Sequence, residues 1–201
     1  MTEQPIPPTR KIHHLNARSL RGLAHPLRMR LLWSLRLDGP ATASQLAERM
    51  GESSGATSYH LRQLGEYGFV EDDPERGKGR ERWWRSVHQG TYTGEDLFRD
   101  QNPEVRGALN TLLHEYATQR AQEVSTWIAT RHEWSQEWGE AADTSDFTLE
   151  LTPALASDLS RKVHDLMESY RALAPEEGTP DAAKVRVHSH IFPTRPMADS
   201  D

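Results

Sequence analysis

The sequence predicts a mainly α chain with small β elements, an α+β fold, and three observations carry that expectation. Most segments place apolar residues three and four apart, the spacing of an amphipathic helix. Around Pro74 to Gly79, a Gly- and Pro-rich tip separates two short stretches of strand character. Two later stretches, 146–151 and 184–192, alternate apolar and polar residues at the period of a strand. A length of 201 residues gives room for one or two domains and a substantial core. Apolar content of 35% and charged content of 27% fit a soluble globular chain. No apolar run approaches the ~20 residues of a membrane span. The first residues, MTEQPIPPTRKIHH, lack the apolar segment of a secretory signal, and the absence of cysteine favours a cytoplasmic location. With no cysteine, disulfides and thiolate metal sites are excluded.

Taken in order, residues 1–15 read as a flexible polar arm. Leu20 and Leu23 mark a first short helix over 16–24. Pro26 is well placed as the first residue of the next helix, which turns Leu27, Leu31, Leu32 and Leu35 inward and stops at Gly39-Pro40. Thr42 and Gln45 have capping-box spacing and open a short helix with Leu46, Ala47 and Met50 on one face. Gly51 supplies the left-handed residue that ends it. Ser53 can cap a following helix to about Tyr67, which buries Leu61 and Leu64 and ends at Gly68. Phe69-Val70 starts a strand, and Arg80 to Ser86 returns as its partner. Two helices, a helix–turn–helix and a hairpin, in that order, make a winged helix-turn-helix domain over residues 16–90.

Residues 103–201 read as a second region. A long helix from Pro103 to about Arg131 carries two apolar stripes, one of Val105, Leu109, Leu112 and Tyr116 and one of Leu113, Ala117, Ala121, Val124 and Ile128. Such a broad face suits pairing with the same helix of a second subunit. A strand over 146–151, a helix opened by Thr152-Pro153, and a strand over 184–192 form an expected strand–helix–strand element, followed by a disordered tail.

Charge divides the same way. The formal net charge is −6, yet residues 1–90 hold 14 Lys/Arg against 10 Asp/Glu, and the remainder is acidic by ten. This fits a polyanion-facing module on an acidic body; ordinary surface variation is the alternative.

The candidate contact residues follow from that geometry. Ser53, Ser54, Thr57, Ser58 and Tyr59 crowd the first two turns of the second short helix, where hydroxyls can meet phosphates and base edges. Arg62 stands one turn on. His60 fits a phosphate contact and a packing role equally. On the wing, Lys78, Arg80 and Arg82 alternate and share one side, facing either phosphates or solvent, with Glu71, Asp72, Asp73 and Glu75 on the other strand. Trp127, Trp134 and Trp138 recur at spacings of seven and four: a pocket for an apolar effector, or plain packing. His188 and His190, on one side of the expected strand and about 7 Å apart, are spaced as a metal-binding pair if Glu150 or His164 comes near, but two histidines are not a complete site and no third ligand is identifiable. No metal or other cofactor is expected. No phosphate loop or nucleophile elbow occurs in the sequence, and no enzyme is expected.

These motifs resemble those of the ArsR-type winged-helix repressors. Leu23, Ala24, His25, Pro26 and Arg28 match the opening of that family. Ser58, Tyr59, His60 and Leu61 match its Ser-x-His-Leu recognition helix, and Leu64, Gly68, Phe69 and Val70 match its ending. The resemblance covers about seventy residues, from Leu20 to His88. It implies a homodimeric transcription factor whose DNA affinity is set by an effector. The chain departs from the metal-sensing members: it has no cysteine, and its long helix offers His114, Glu115 and Glu123 without the Asp-x-His pattern.

The expected function is therefore a sequence-specific DNA-binding regulator, a repressor by default, acting as a homodimer on an inverted repeat of double-stranded DNA. An effector bound by the C-terminal region remains unnamed. The alternative from another class is a winged-helix module that binds protein.

Overall fold

The computed structural model describes residues 11–76, 81–176 and 178–194. Lys78 and Arg80 of the wing, most of the expected arm and the end of the tail lie outside them. The chain divides into two units, the first ending at Trp127 and the second beginning at Ile128.

Local chemistry sets the helices of the first unit. Asn16 caps α1 (Ala17–Leu23) through a capping box with Ser19. His25 caps α2 (Pro26–Leu37), whose first residue is the proline. Thr42 and Gln45 bond reciprocally at the start of α3 (Ala43–Met50), at 3.3 and 2.9 Å. Gly51 ends α3 at φ 68°, a conformation that favours glycine. Three residues after α3, Ser53 caps α4 (Ser54–Glu66), accepting the Ala56 N–H at 3.2 Å.

These helices close on one core. Leu20 and Leu23 of α1, Leu31 and Leu32 of α2, Leu46 of α3 and Leu61 and Leu64 of α4 are all essentially inaccessible. Phe69, Val105, Leu109 and Leu112 pack into the same cluster. Each Leu removed from water contributes roughly 1.5–3 kcal/mol, so the cluster holds the helix–turn–helix rigid.

The wing has one more strand than the sequence indicates. β2 (Ala41–Thr42), β4 (Trp83–Ser86) and β3 (Val70–Asp72) form a sheet in the order β2-β4-β3, antiparallel throughout. A two-residue strand carries no alternation to read. The return strand starts at Trp83, three residues later than expected.

Residues 12–14, expected within the arm, form β1 (Ile12–His14), which pairs in parallel with β5 (Gly90–Tyr92). Backbone bonds from Leu15 N to Tyr92 O and from Gln89 N to Lys11 O, each 2.9 Å, extend the pairing. Between β5 and residue 103 the chain forms α5 (Glu95–Arg99), anchored by buried Leu97.

The long helix, α6 (Pro103–Thr130), has the expected length. Its first stripe enters the core through Val105, Leu109 and Leu112, while Leu113, Ala117, Ala121 and Val124 of the second are exposed.

In the second unit, a 3-10 turn (Arg131–Glu133) leads to α7 (Gln136–Ala141), and α8 (Pro153–Arg171) begins at the expected Thr152 cap and Pro153. No residue of α8 is buried. The expected strand–helix–strand element is corrected here: neither 146–151 nor 184–192 is a strand. Alternation marks a segment with two unlike faces, but a strand also needs an edge to pair with, and among the described residues neither segment has one. Phe147 stands 83% exposed.

Candidate nucleic-acid interface

The sides of α4 are sharply unlike. Thr57, Leu61 and Leu64, spaced four and three apart, form the buried face. Ser54, Gly55, Tyr59 and Arg62 are exposed on the other, with Ser58 and His60 half-buried at its margins. A Cβ added at Gly55 would meet nothing within 4 Å, so the backbone of the first turn is open to a close partner. Tyr59 is 52% exposed. Arg62 makes no ion pair among the described residues.

Thr57 requires a correction. Its side chain is inaccessible, and its Oγ1 is buried without a hydrogen-bond partner among the described residues. A hydroxyl in that position cannot reach a groove. The signal was its spacing: Thr57 lies four residues before Leu61 and seven before Leu64, on the face already expected to be buried, while the helical period turns Ser58 about 100° away.

The root of the wing is fastened to α4. Trp84 is buried, and its Cζ3 lies 3.5 Å from where a Cβ of Gly65 would sit. The missing side chain of Gly65 lets the indole settle against the helix. Arg82 lies over that ring, its guanidinium carbon 4.1 Å from the centroid, and pairs with Asp72 at 3.1 Å. Arg85 pairs with Glu71 at 3.0 Å and Arg76 with Asp73 at 3.6 Å. The described cations of the hairpin thus have acidic partners on or beside β3.

Three basic groups near α4 escaped the sequence reading as possible contacts. His25, at the start of α2, stacks on His60 with ring centroids 4.4 Å apart. Arg28 lies close enough to His25 and His60 to oppose their protonation. Its Nε is buried without a partner among the described residues. Arg18 lies over the Tyr67 ring at 5.8 Å. The signal for Arg28 was present, since it belongs to the same opening motif as His25. Burial is the first cause that holds His25 and His60 below the ordinary imidazole value, followed by the nearby positive groups.

The tryptophans do not behave as one unit. Trp127 is half-buried on α6 in the first unit. In the second, Trp134 lines an open groove of about 460 Å³ together with Ile128, Arg131 and His132. Trp138 meets Trp134 edge-on at 6.1 Å and donates its Nε1–H to the Asp181 carbonyl at 3.1 Å. With 184–192 not a strand, the alternation that put His188 and His190 on one side no longer applies. Among the described residues no three His, Asp or Glu side chains gather as a metal site requires.

A family model described as a helix-turn-helix domain matches residues 23–73, from the end of α1 to just past β3. A solved structure described as a possible transcriptional regulator for arsenical resistance is 30% identical over 49% of this chain and 82% of its own, with a TM-score of 0.30. The chain belongs to the ArsR-type winged helix-turn-helix regulators. HlyU from Vibrio cholerae N16961 is 27% identical over 33% of this ArsR-type chain and 66% of its own length, just under two thirds, with a TM-score of 0.30. The homodimeric winged helix-turn-helix DNA-binding domain Mb0332 from Mycobacterium bovis, a possible ArsR-family transcriptional regulator, is 22% identical. That match covers 60% of this chain and 86% of the other, with a TM-score of 0.32. Superpositions at these scores carry no weight. No curated protein matches the chain. As an ArsR-type regulator it is a DNA-binding transcriptional regulator. Among its described residues, no helix is long and apolar enough to cross a membrane.

Proposed function

We propose that this regulator acts in the cytoplasm as a homodimeric repressor that occupies an inverted-repeat operator and blocks the promoter there. The outer face of α4, with Ser54, Ser58, Tyr59 and Arg62, enters the major groove, capped at its start by Ser53. Lys78 and Arg80 follow it onto the flanking phosphates. Arg82 contributes less, because its guanidinium is already held by Asp72 and Trp84.

The observation that carries this reading is the division of α4 itself: a helix anchored by three buried residues presents an exposed face of hydroxyls, glycine and arginine. That face suits a polar, anionic partner better than an apolar protein surface. The exposed second stripe of α6 supports pairing of two copies, which would set two α4 helices about 34 Å apart, one turn of DNA.

Fluorescence anisotropy with a duplex from the regulator's own upstream region tests the proposal. Arg62→Ala and Lys78→Ala are each expected to weaken binding by about 1 kcal/mol and to lower the salt slope by about one unit per lost phosphate contact. Absence of binding at low salt would overturn it in favour of the protein-binding module.

A further inference from the structure

We propose that His25 is a positioning residue for the recognition helix: it ties the start of α2 to α4 by stacking on His60, and so fixes how the outer face of α4 meets DNA. The inference rests on the proposed role of α4.

One ring serves two elements. Nδ1 of His25 accepts the Leu27 N–H at 3.2 Å, which caps α2 and requires that nitrogen to be unprotonated. The proton of the neutral ring then sits on Nε2. The plane of the same ring lies against His60 of α4, tilted by 37°. Beyond it, Tyr59 meets His60 edge-on at 5.1 Å. His60 Nδ1 is buried and has no partner among the described residues, so the imidazole is held by its faces rather than by hydrogen bonds.

The post is firm because Leu27, just inside α2, is buried in the core. The helix it steadies is anchored on one face by Leu61 and Leu64. His60 stands at the margin of that face, where a contact resists rolling of the helix about its axis. Tyr59 and Arg62, on the exposed side, move with any such roll.

The stack suits neutral rings. Two imidazolium groups at 4.4 Å repel each other. Arg28 adds a third positive charge from α2, while Glu52, from the turn before α4, is the acid that favours protonation. Tyr59 contributes its ring. Protonation therefore both separates the rings and, at Nδ1, removes the cap of α2.

Hydrogen exchange of the free protein and anisotropy with the upstream duplex test the idea together, between about pH 7.5 and about pH 5.5. In the parent, protection of the α4 amides, corrected for intrinsic exchange, and DNA affinity are expected to fall together in acid. His25→Asn keeps a good cap acceptor and removes the ring, and is expected to bind DNA roughly tenfold more weakly at neutral pH. His60→Phe keeps a ring without a titrating nitrogen, so its α4 protection is expected to fall less in acid than the parent's. Parent-like α4 protection and affinity in His25→Asn would overturn the proposal. So would affinity that rises in acid while α4 protection stays constant, since an imidazolium would then be meeting phosphate directly. Acid-sensitive α4 protection in a parent that binds no duplex would leave the stack in place and remove the DNA-binding reading instead.

Discussion

Gly22 of α1 lies directly beneath the ring of Tyr67 at the end of α4, so close that a Cβ on Gly22 would sit 2.3 Å from Tyr67 Cγ. The conflict is with the stem of the ring, which cannot swing aside as the tip of a flexible side chain can. Gly22→Ala is expected to destabilise the first unit by about 1–3 kcal/mol through overpacking, more than its gain in helix propensity of about 1 kcal/mol returns. Urea unfolding measures this. An unchanged midpoint would mean that α1 and α4 are not packed as described.

Thr57 offers the opposite case. Its buried Oγ1 has lost water without gaining a partner, so Thr57→Val, which keeps the shape, should be neutral or stabilising by up to about 1 kcal/mol. DNA affinity should stay at the parent level. A large loss of affinity with unchanged stability would return Thr57 to the contact surface.

Acid should weaken the first unit. Burial is the leading cause that lowers His13, His25, His60 and His88 from the ordinary 6.5. The unfolded chain takes up protons from about pH 6.5 downward while the folded chain resists, so the unfolded state binds more protons there and stability falls with falling pH. The loss begins near 6.5 and is complete once each histidine has passed its own lower folded value. Above 6.5 the four groups contribute no slope. Chemical denaturation across that range checks the sign: a midpoint that rises on acidification would contradict it.

The proposed pairing of two copies through α6 has a direct test. Leu113 and Val124 are exposed, and Ile128 is 65% exposed. Leu113→Glu combined with Val124→Glu is expected to leave a folded monomer in sedimentation velocity. DNA affinity should fall steeply, because the second half-site is then engaged independently. A parent that sediments as a monomer at micromolar concentration would refute the pairing.

Much of the first unit could be read directly because its signals are local. Capping pairs such as Thr42 and Gln45, the Gly51 turn and the Leu61/Leu64 face each act within a few residues, and local chemistry leaves a local pattern. β1, β2 and β5 escaped notice for the opposite reason. Each is two or three residues long and exists only through a partner distant in sequence. The same dependence misled in the other direction at 146–151 and 184–192, where alternation was present and no paired edge is found among the described residues.

Within the candidate site, the sequence alone fixed the order of elements, the helix boundaries at capped ends, and the hydroxyl-rich character of α4, because propensity and capping are set by near neighbours. Only the tertiary structure decided which of those hydroxyls face outward. It buried Thr57, set Trp84 against Gly65, bound Arg82 to Asp72 and brought His25 onto His60. Those relations span ten to thirty-five positions along the chain, and at such distances side chains meet only when the core draws their helices and strands together.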